Sequence, residues 1–239
     1  MTRRIALPAF LVLILSTFVH AESKPQAGGP QPAANWTQGT HYFPVVPAQP
    51  TNVARGKIEV AEVFSYACPW CARFNPMMDQ LKKSLPANAQ LVYIPASFIP
   101  SEGWPMFQRA TCTAQTLGIF DSTHDQMFDA VWKTGELAIS DPQTQRLKPT
   151  LPSIEDAARY YNHLTGINID KFLLASKSFA VDTMMRRDDS LIMAYHVDST
   201  PSLIVNGKYR ITGQSAGGPQ QMIELVKWLV AKEMSAAHR

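Results

Sequence analysis

Residues 57–71 read KIEVAEVFSYACPWC, and the fold turns on how that stretch is divided. Residues 57–64 are β-formers with a period of two. Ile58, Val60, Glu62 and Phe64 fall on one face; Glu59, Ala61, Val63 and Ser65 fall on the other. Ala67-Cys68-Pro69 then reads as a turn and Pro69 as the first turn of a helix, where a missing N–H costs nothing. Phe74, Met77, Met78 and Leu81 supply the buried stripe of that helix, with Pro76 expected to kink or shift it. Residues 90–94 (QLVYI) form the next strand. Strand, helix, strand implies a right-handed crossover and a parallel pair.

Further along, strand character disappears. Helical spacing marks residues 105–117 (Phe107, Ala110, Ala114, Leu117) and 124–133 (Met127, Phe128, Val131, Trp132). Ser153 and Asp156 form a capping-box pattern for a helix over 154–164 that Gly166 can end. Asp170 opens a helical stretch with Phe172, Leu173 and Phe179, and a last helix runs from Asp182 to about Tyr195. Strands return at 202–206 (SLIVN) and 208–212 (KYRIT), joined by the hairpin signal Asn206-Gly207. A loop over 213–219 leads to an amphipathic helix carrying Met222, Leu225, Val226 and Leu229. Upstream, HYFPVV at 41–46 is a short strand that Pro44 confines to a sheet edge.

At the start of the chain, Arg3 and Arg4 precede an apolar run from Ile5 to Val19, broken at Pro8, and Val19-His20-Ala21 supplies a cleavage pattern. This predicts a secretory signal peptide cut after Ala21. The alternative is an uncleaved anchor, but a spanning helix needs about 20 apolar residues and this run is shorter. Residues 22–36 are rich in Pro, Gly, Ala and Gln and read as a flexible leader. Cleavage leaves 218 residues and lowers the formal charge from +3 to +1, because two arginines leave and no acid does. Even +3 is too mild for a nucleic-acid partner. A hydrophobic fraction of 46% excludes a wholly disordered chain, and a mean hydropathy of -0.11 excludes a multi-span membrane protein.

The 3 cysteines cannot form a four-cysteine zinc or iron–sulfur site. Two of them form Cys68-Pro69-Trp70-Cys71 at the helix start. There the first lies near free backbone N–H groups and the positive helix end, which favour its thiolate. A stabilised thiolate leaves readily, so a Cys68–Cys71 disulfide would be strongly oxidising. The alternatives are plain. Haem attachment needs His where Ala72 stands, and zinc needs two further ligands. A purely structural bridge would close too short a loop to remove much chain entropy. Glu62 lies six residues before Cys68 on an apolar strand face. Burial would raise its pKa and make it a proton acceptor or relay for Cys71; an edge-exposed Glu or a shifted register is the alternative. Thr200-Pro201 enters a strand, where proline gives up a ladder donor. A cis bond there would expose backbone to an extended partner, although a trans proline is far commoner.

Taken together, FSYACPWC, the Glu six residues before the first Cys, the all-helical middle and TPSLIVNGKY resemble the DsbA-type thiol:disulfide oxidoreductases of the thioredoxin superfamily. The resemblance spans about residues 40–235. It implies an α/β thioredoxin fold with an inserted all-helical domain. The expected partition is a signal peptide (1–21), a leader (22–36), a thioredoxin-fold N-terminal part (37–100), the insert (101–196) and the thioredoxin-fold C-terminal part (197–239). It implies a periplasmic disulfide oxidase with Cys68 as exposed nucleophile, Cys71 as buried partner, Glu62 as buried acid and Pro201 as cis proline. Pro69, Trp70 and Thr200 tune the redox pair, and Trp70, Thr200 and Pro201 meet the substrate. No cofactor is implied beyond the Cys68–Cys71 disulfide, and no metal. The implied partners are exported proteins with free thiols and a membrane quinone-coupled reoxidant resembling DsbB, acting on a monomer. Isomerase or reductase activity on the same fold, or non-redox client binding, are the competing readings. Isomerases of this superfamily usually carry an N-terminal dimerisation domain, for which the leader is too short.

Several residues stand outside that pattern. Cys112 lies in the helix 105–117, off its apolar stripe, and is read as a buried small hydrophobe or else as a regulatory thiol. His41, His124, His163, His196 and His238 are widely spaced and assigned to surface or packing. Arg186-Arg187-Asp188-Asp189 is read as a solvated helix face, and Met77, Met78, Met184, Met185 and Met222 as core first, with lining of an adaptable client groove as the alternative for some of them. Trp70 stands where many of these enzymes carry His, whose imidazolium can stabilise the thiolate. Cys68 is therefore expected to be less depressed than in such relatives. Trp70→His should make the protein more oxidising in redox equilibrium with glutathione; an unchanged or lowered potential would contradict this account.

Overall fold

The strand predicted from KIEVAEVF is buried along its whole length. In the computed structural model, which describes residues 35–237, it is Ile58–Phe64. The expected signal peptide and all of the leader before Asn35 lie outside the described residues, as does His238. Call Ile58–Phe64 β2 and the edge pair Phe43–Pro44 β1. Next come α1 (Pro69–Ser84) and β3 (Ala89–Pro95). The helices α2 (Trp104–Thr116), α3 (His124–Trp132), α4 (Ile154–Thr165), α5 (Ile169–Ser176) and α6 (Phe179–Ala194) follow. The chain then returns through β4 (Ser202–Val205), β5 (Tyr209–Thr212), α7 (Gly213–Ala216) and α8 (Pro219–Ala237). Among the described residues no helix is long and apolar enough to cross a membrane.

The sheet order is β1-β5-β4-β2-β3. β2 runs parallel to β3 from Ile58↔Ala89 to Phe64↔Pro95 and antiparallel to β4 from Val60↔Val205 to Val63↔Ser202. Pro44 sits on the edge, as expected, with β1 against β5. Layers on both faces explain why β2 lacks an exposed side. Ile58 and Val60 join Phe74, Met78 and Leu81 of α1 and Leu225 and Leu229 of α8. Ala61 and Val63 join Phe107, Ala110 and Ala114 of α2 and Met127 of α3.

Phe64 breaks the expected alternation. It belongs to the second cluster, with its ring 5.2 Å from Tyr66, 5.7 Å from Tyr93 and 6.0 Å from Phe128. Pairing with β4 ends at Val63, while Phe64 still pairs with Pro95 of β3, and its ring turns into this aromatic cluster.

Two boundaries also differ from expectation. α6 begins at Phe179, because the Ser178 hydroxyl accepts the Val181 N–H at 3.3 Å and caps it. Phe179, expected to be an apolar position of the preceding helical stretch, is instead 80% exposed. The expected loop after Gly213 contains α7, a turn of helix held by reciprocal Thr212 and Ser215 caps. The capping box at Ser153 and Asp156 and the Gly166 end of α4 are as read from the sequence.

Helix α2 is the centre of the helical layer, buried on more than one face. Gln108 donates to the Pro95 carbonyl at 3.2 Å and to Asp189 at 2.7 Å. Arg109 donates to Asp182 at 2.8 Å. Cys112 is fully buried, and its thiol donates to Asp188 Oδ2 at 3.6 Å. Asp188, expected on a solvated face, is therefore buried too.

The β4–β5 turn places Asn206 and Gly207 at φ 53° and 65°, as a type I′ hairpin requires. A Cβ on Gly207 would also collide with the Gln49 carbonyl oxygen. Gly207→Ala should lower unfolding free energy by more than about 1 kcal/mol in urea titrations. Burial and the nearby Asp188 carboxylate hold the Cys112 thiol well above its ordinary range. The native protein with Cys68 and Cys71 oxidised should resist alkylation at Cys112 until it is unfolded; rapid labelling would contradict this packing.

Candidate active site

The reactive end of the sheet follows from the chain's exit from β2. A turn closed by the Cys68 N–H to the Ser65 carbonyl at 3.1 Å delivers Cys68 to the N-cap of α1. Trp132 Nε1, from the end of α3, donates to the Tyr66 carbonyl at 2.8 Å and fixes that turn from the helical layer. Pro69 starts the helix, and the Cys71 N–H donates to Cys68 Sγ at 3.4 Å. α1 continues through Pro76, whose ring nitrogen offers no donor to the Ala72 carbonyl.

The register Val63↔Ser202 brings the segment before β4 beside the segment after β2. The Thr200–Pro201 bond is cis, and the Thr200 carbonyl accepts from the Cys68 thiol at 3.5 Å. Contact therefore joins residues 132 positions apart. Val46–Pro47 is cis as well, which sequence reading missed; nothing in the local sequence distinguishes it from a trans proline.

Cys68, expected to be exposed, is buried like Cys71, with only 3% of its surface open because the cis Thr200–Pro201 segment packs over it. The two thiols are free and electrostatically unequal. A hydrogen bond from the Cys71 side chain, aided by Thr200 and the N–H groups of Cys71 and Trp70, lowers Cys68 to about 6 against the opposing effect of burial. Thr200 acts both ways: its carbonyl accepts from the thiol form, whereas its side chain favours the thiolate. Cys71 is pushed well above the ordinary thiol range by burial, then by the Cys68 and Glu62 charges. Glu62 is 2% exposed. Burial, reinforced by the Cys68 charge, raises its carboxyl to about 8, so it is mostly protonated at neutral pH.

Trp70 projects from the helix start with 63% of its surface exposed. It borders a groove of about 760 Å³ with Phe74, Met77, Thr200, Pro201 and Met222. Thus Cys68, Cys71, Glu62, Pro69, Trp70, Thr200 and Pro201 lie in or beside one site. Met77 and Met222, read as core with the groove as the alternative, are shared between core packing and that groove. Missed from the sequence was Arg73, whose guanidinium carbon sits 4.8 Å from the Trp70 ring centroid. Its position three residues after Trp70 in the helix was the available signal. His124 is a packing residue, as read: burial pushes it down to about 3, and its Nδ1 lies 2.9 Å from the Tyr66 hydroxyl.

This arrangement matches known proteins over most of the chain. A family model described as Thioredoxin matches residues 54–225. The thiol:disulfide interchange protein DsbA of Pseudomonas aeruginosa is 33% identical over 211 residues, covering 87% of this chain and 90% of that protein. DsbA of Pseudomonas syringae pv. tomato is 34% identical over 199 residues, covering 83% and 85%. The crystal structure of P. aeruginosa DsbA superposes with a TM-score of 0.73 at 32% identity, covering 87% of this chain and 99% of that one. A thioredoxin-fold sheet with a helical insertion and a helix-capping CxxC agrees with all of these, and the activity that goes with them is thiol:disulfide exchange at a cysteine pair. The chain belongs to the DsbA family of thiol:disulfide oxidoreductases, within the thioredoxin superfamily.

Proposed function

We propose that the protein works in the periplasm as a dithiol oxidase that donates the Cys68–Cys71 disulfide to exported proteins with free thiols. The observation that carries this reading is the inequality of the two sulfurs: Cys68 lowered to about 6 and Cys71 raised. A client thiolate attacks Cys68 Sγ; the client–Cys68 bond forms, the Cys68–Cys71 bond breaks, and Cys71 leaves with the electron pair. A buried thiolate is a poor leaving group unless it is protonated, and Glu62, protonated at neutral pH, supplies that proton. A second client thiolate attacks the client sulfur. The client disulfide forms and Cys68 leaves as the stabilised thiolate. The client is oxidised and the enzyme reduced by two electrons, which a membrane quinone-coupled reoxidant resembling DsbB removes. In that half-reaction Glu62, returned to its charged form, accepts the Cys71 proton.

Pro69 starts the helix whose N–H groups stabilise Cys68, and Thr200 tunes the same sulfur. The chain beside the cis Thr200–Pro201 bond aligns a client strand, and Trp70 offers it an apolar contact. No further cofactor enters this scheme, and the protein is expected to act as a monomer.

The central test is oxidation of reduced, unfolded ribonuclease beside refolding of scrambled ribonuclease. Activity in the first alone supports the oxidase; strong activity in the second favours an isomerase. Cys68→Ala should abolish oxidation, and retained activity would favour a non-redox binding module. Thiolate absorbance of the reduced protein should titrate with a midpoint near pH 6 for Cys68. Glu62→Gln should slow single-turnover client oxidation by about 100-fold, with the largest deficit below pH 8, where the native carboxyl holds its proton.

A further inference from the structure

Of the residues that line the groove beside Cys68, Arg73 alone is charged. The remainder are apolar, like Trp70, Met77 and Pro201, or neutral and polar, like Thr212 and Gln214. Among the described residues Arg73 makes no salt bridge. The first turn of α1 carries no acid, so the positive helix end and the guanidinium add rather than cancel. Asp198 is the nearest acid in sequence to Thr200. It is exposed, lies outside the lining and accepts from the Ser199 hydroxyl at 3.1 Å.

Stacking on the exposed Trp70 ring holds the guanidinium at the groove rim. Such stacking restricts the side chain before a ligand arrives, so less rotamer freedom is lost when its planar fork meets a carboxylate. Apolar groove walls exclude screening ions more than an open surface does.

We propose that Arg73 is a specificity-determining residue for client choice. It favours segments that carry an aspartate, glutamate or chain-terminal carboxylate close to the attacked cysteine, and disfavours lysine or arginine there. This rests on the oxidase reading above and adds to it a charge preference set by one side chain.

The test uses two-cysteine peptides, identical except for Glu or Lys at a single position, moved through three positions on either side of the first cysteine. The second-order rate constant for reduction of the Cys68–Cys71 disulfide gives a Glu-to-Lys ratio for each position. With the native protein at low salt the ratio should reach about fivefold at one or more positions and shrink as salt is added. Arg73→Gln should bring that ratio close to one, and Arg73→Glu should invert it. Differences between the peptides' own thiols cancel, because every enzyme meets the same pairs. Equal ratios in the native protein and Arg73→Gln at every position, with rapid oxidation throughout, would overturn the charge preference and leave the oxidase reading standing. Oxidation of no peptide by any of the proteins would overturn both.

Discussion

A sulfur occupies the position at which helices ordinarily place a hydroxyl or a carboxylate. Cys68 caps α1 and takes the Cys71 N–H, so the helix and the thiolate each satisfy a need of the other. Much of the architecture serves to hold that sulfur in place. β2 is buried on both faces, and a one-residue slip would exchange the residues that fill its two different clusters. Its register against β4 fixes Thr200–Pro201 beside the cap. Trp132 reaches from the helical layer to the turn before it. Asn75, on α1 itself, donates to Asp125 of α3 at 2.7 Å and ties the helix to the same layer.

The second sulfur is governed by the opposite physics. Cys71 is within the helix and fully buried, where the loss of water around a charge outweighs the Ser65 backbone contact that favours it. Glu62 suffers the same loss, one strand position beyond Ala61. Because both groups prefer to be neutral, a proton is held close to the sulfur that must briefly be an anion. One end of the pair stabilises negative charge and the other disfavours it, within the four residues from Cys68 to Cys71.

Much of this was legible because local rules and global packing agree. Proline after Cys68, the strand pattern before it and Asn206-Gly207 each have one favoured conformation, and the fold uses it. Glu62 was legible for a different reason: a carboxylate amid Ile58, Val60 and Phe64 is an expensive anomaly. The departures arise where tertiary context overrides period. Phe64 leaves its expected face for an aromatic cluster with Tyr66, Tyr93 and Phe128. Asp188 leaves solvent because Cys112 of α2 packs against it, a contact 76 residues away in sequence. Arg73 was passed over because its spacing of three from Trp70 becomes telling only once Trp70 is seen to be exposed.

The burial of Cys112 also imposes an order of events on the chain's own maturation. An unfolded copy in an oxidising compartment offers three thiols, and any two can pair. Only closure of α2 against α6 withdraws Cys112 from that competition. Helix α2 reaches its place through contacts with β3 as well as α6, so the safe pairing depends on sheet and helices assembling together. A catalyst of disulfide formation is thereby exposed to its own chemistry as it folds, and the packing around one unreactive cysteine ends that exposure.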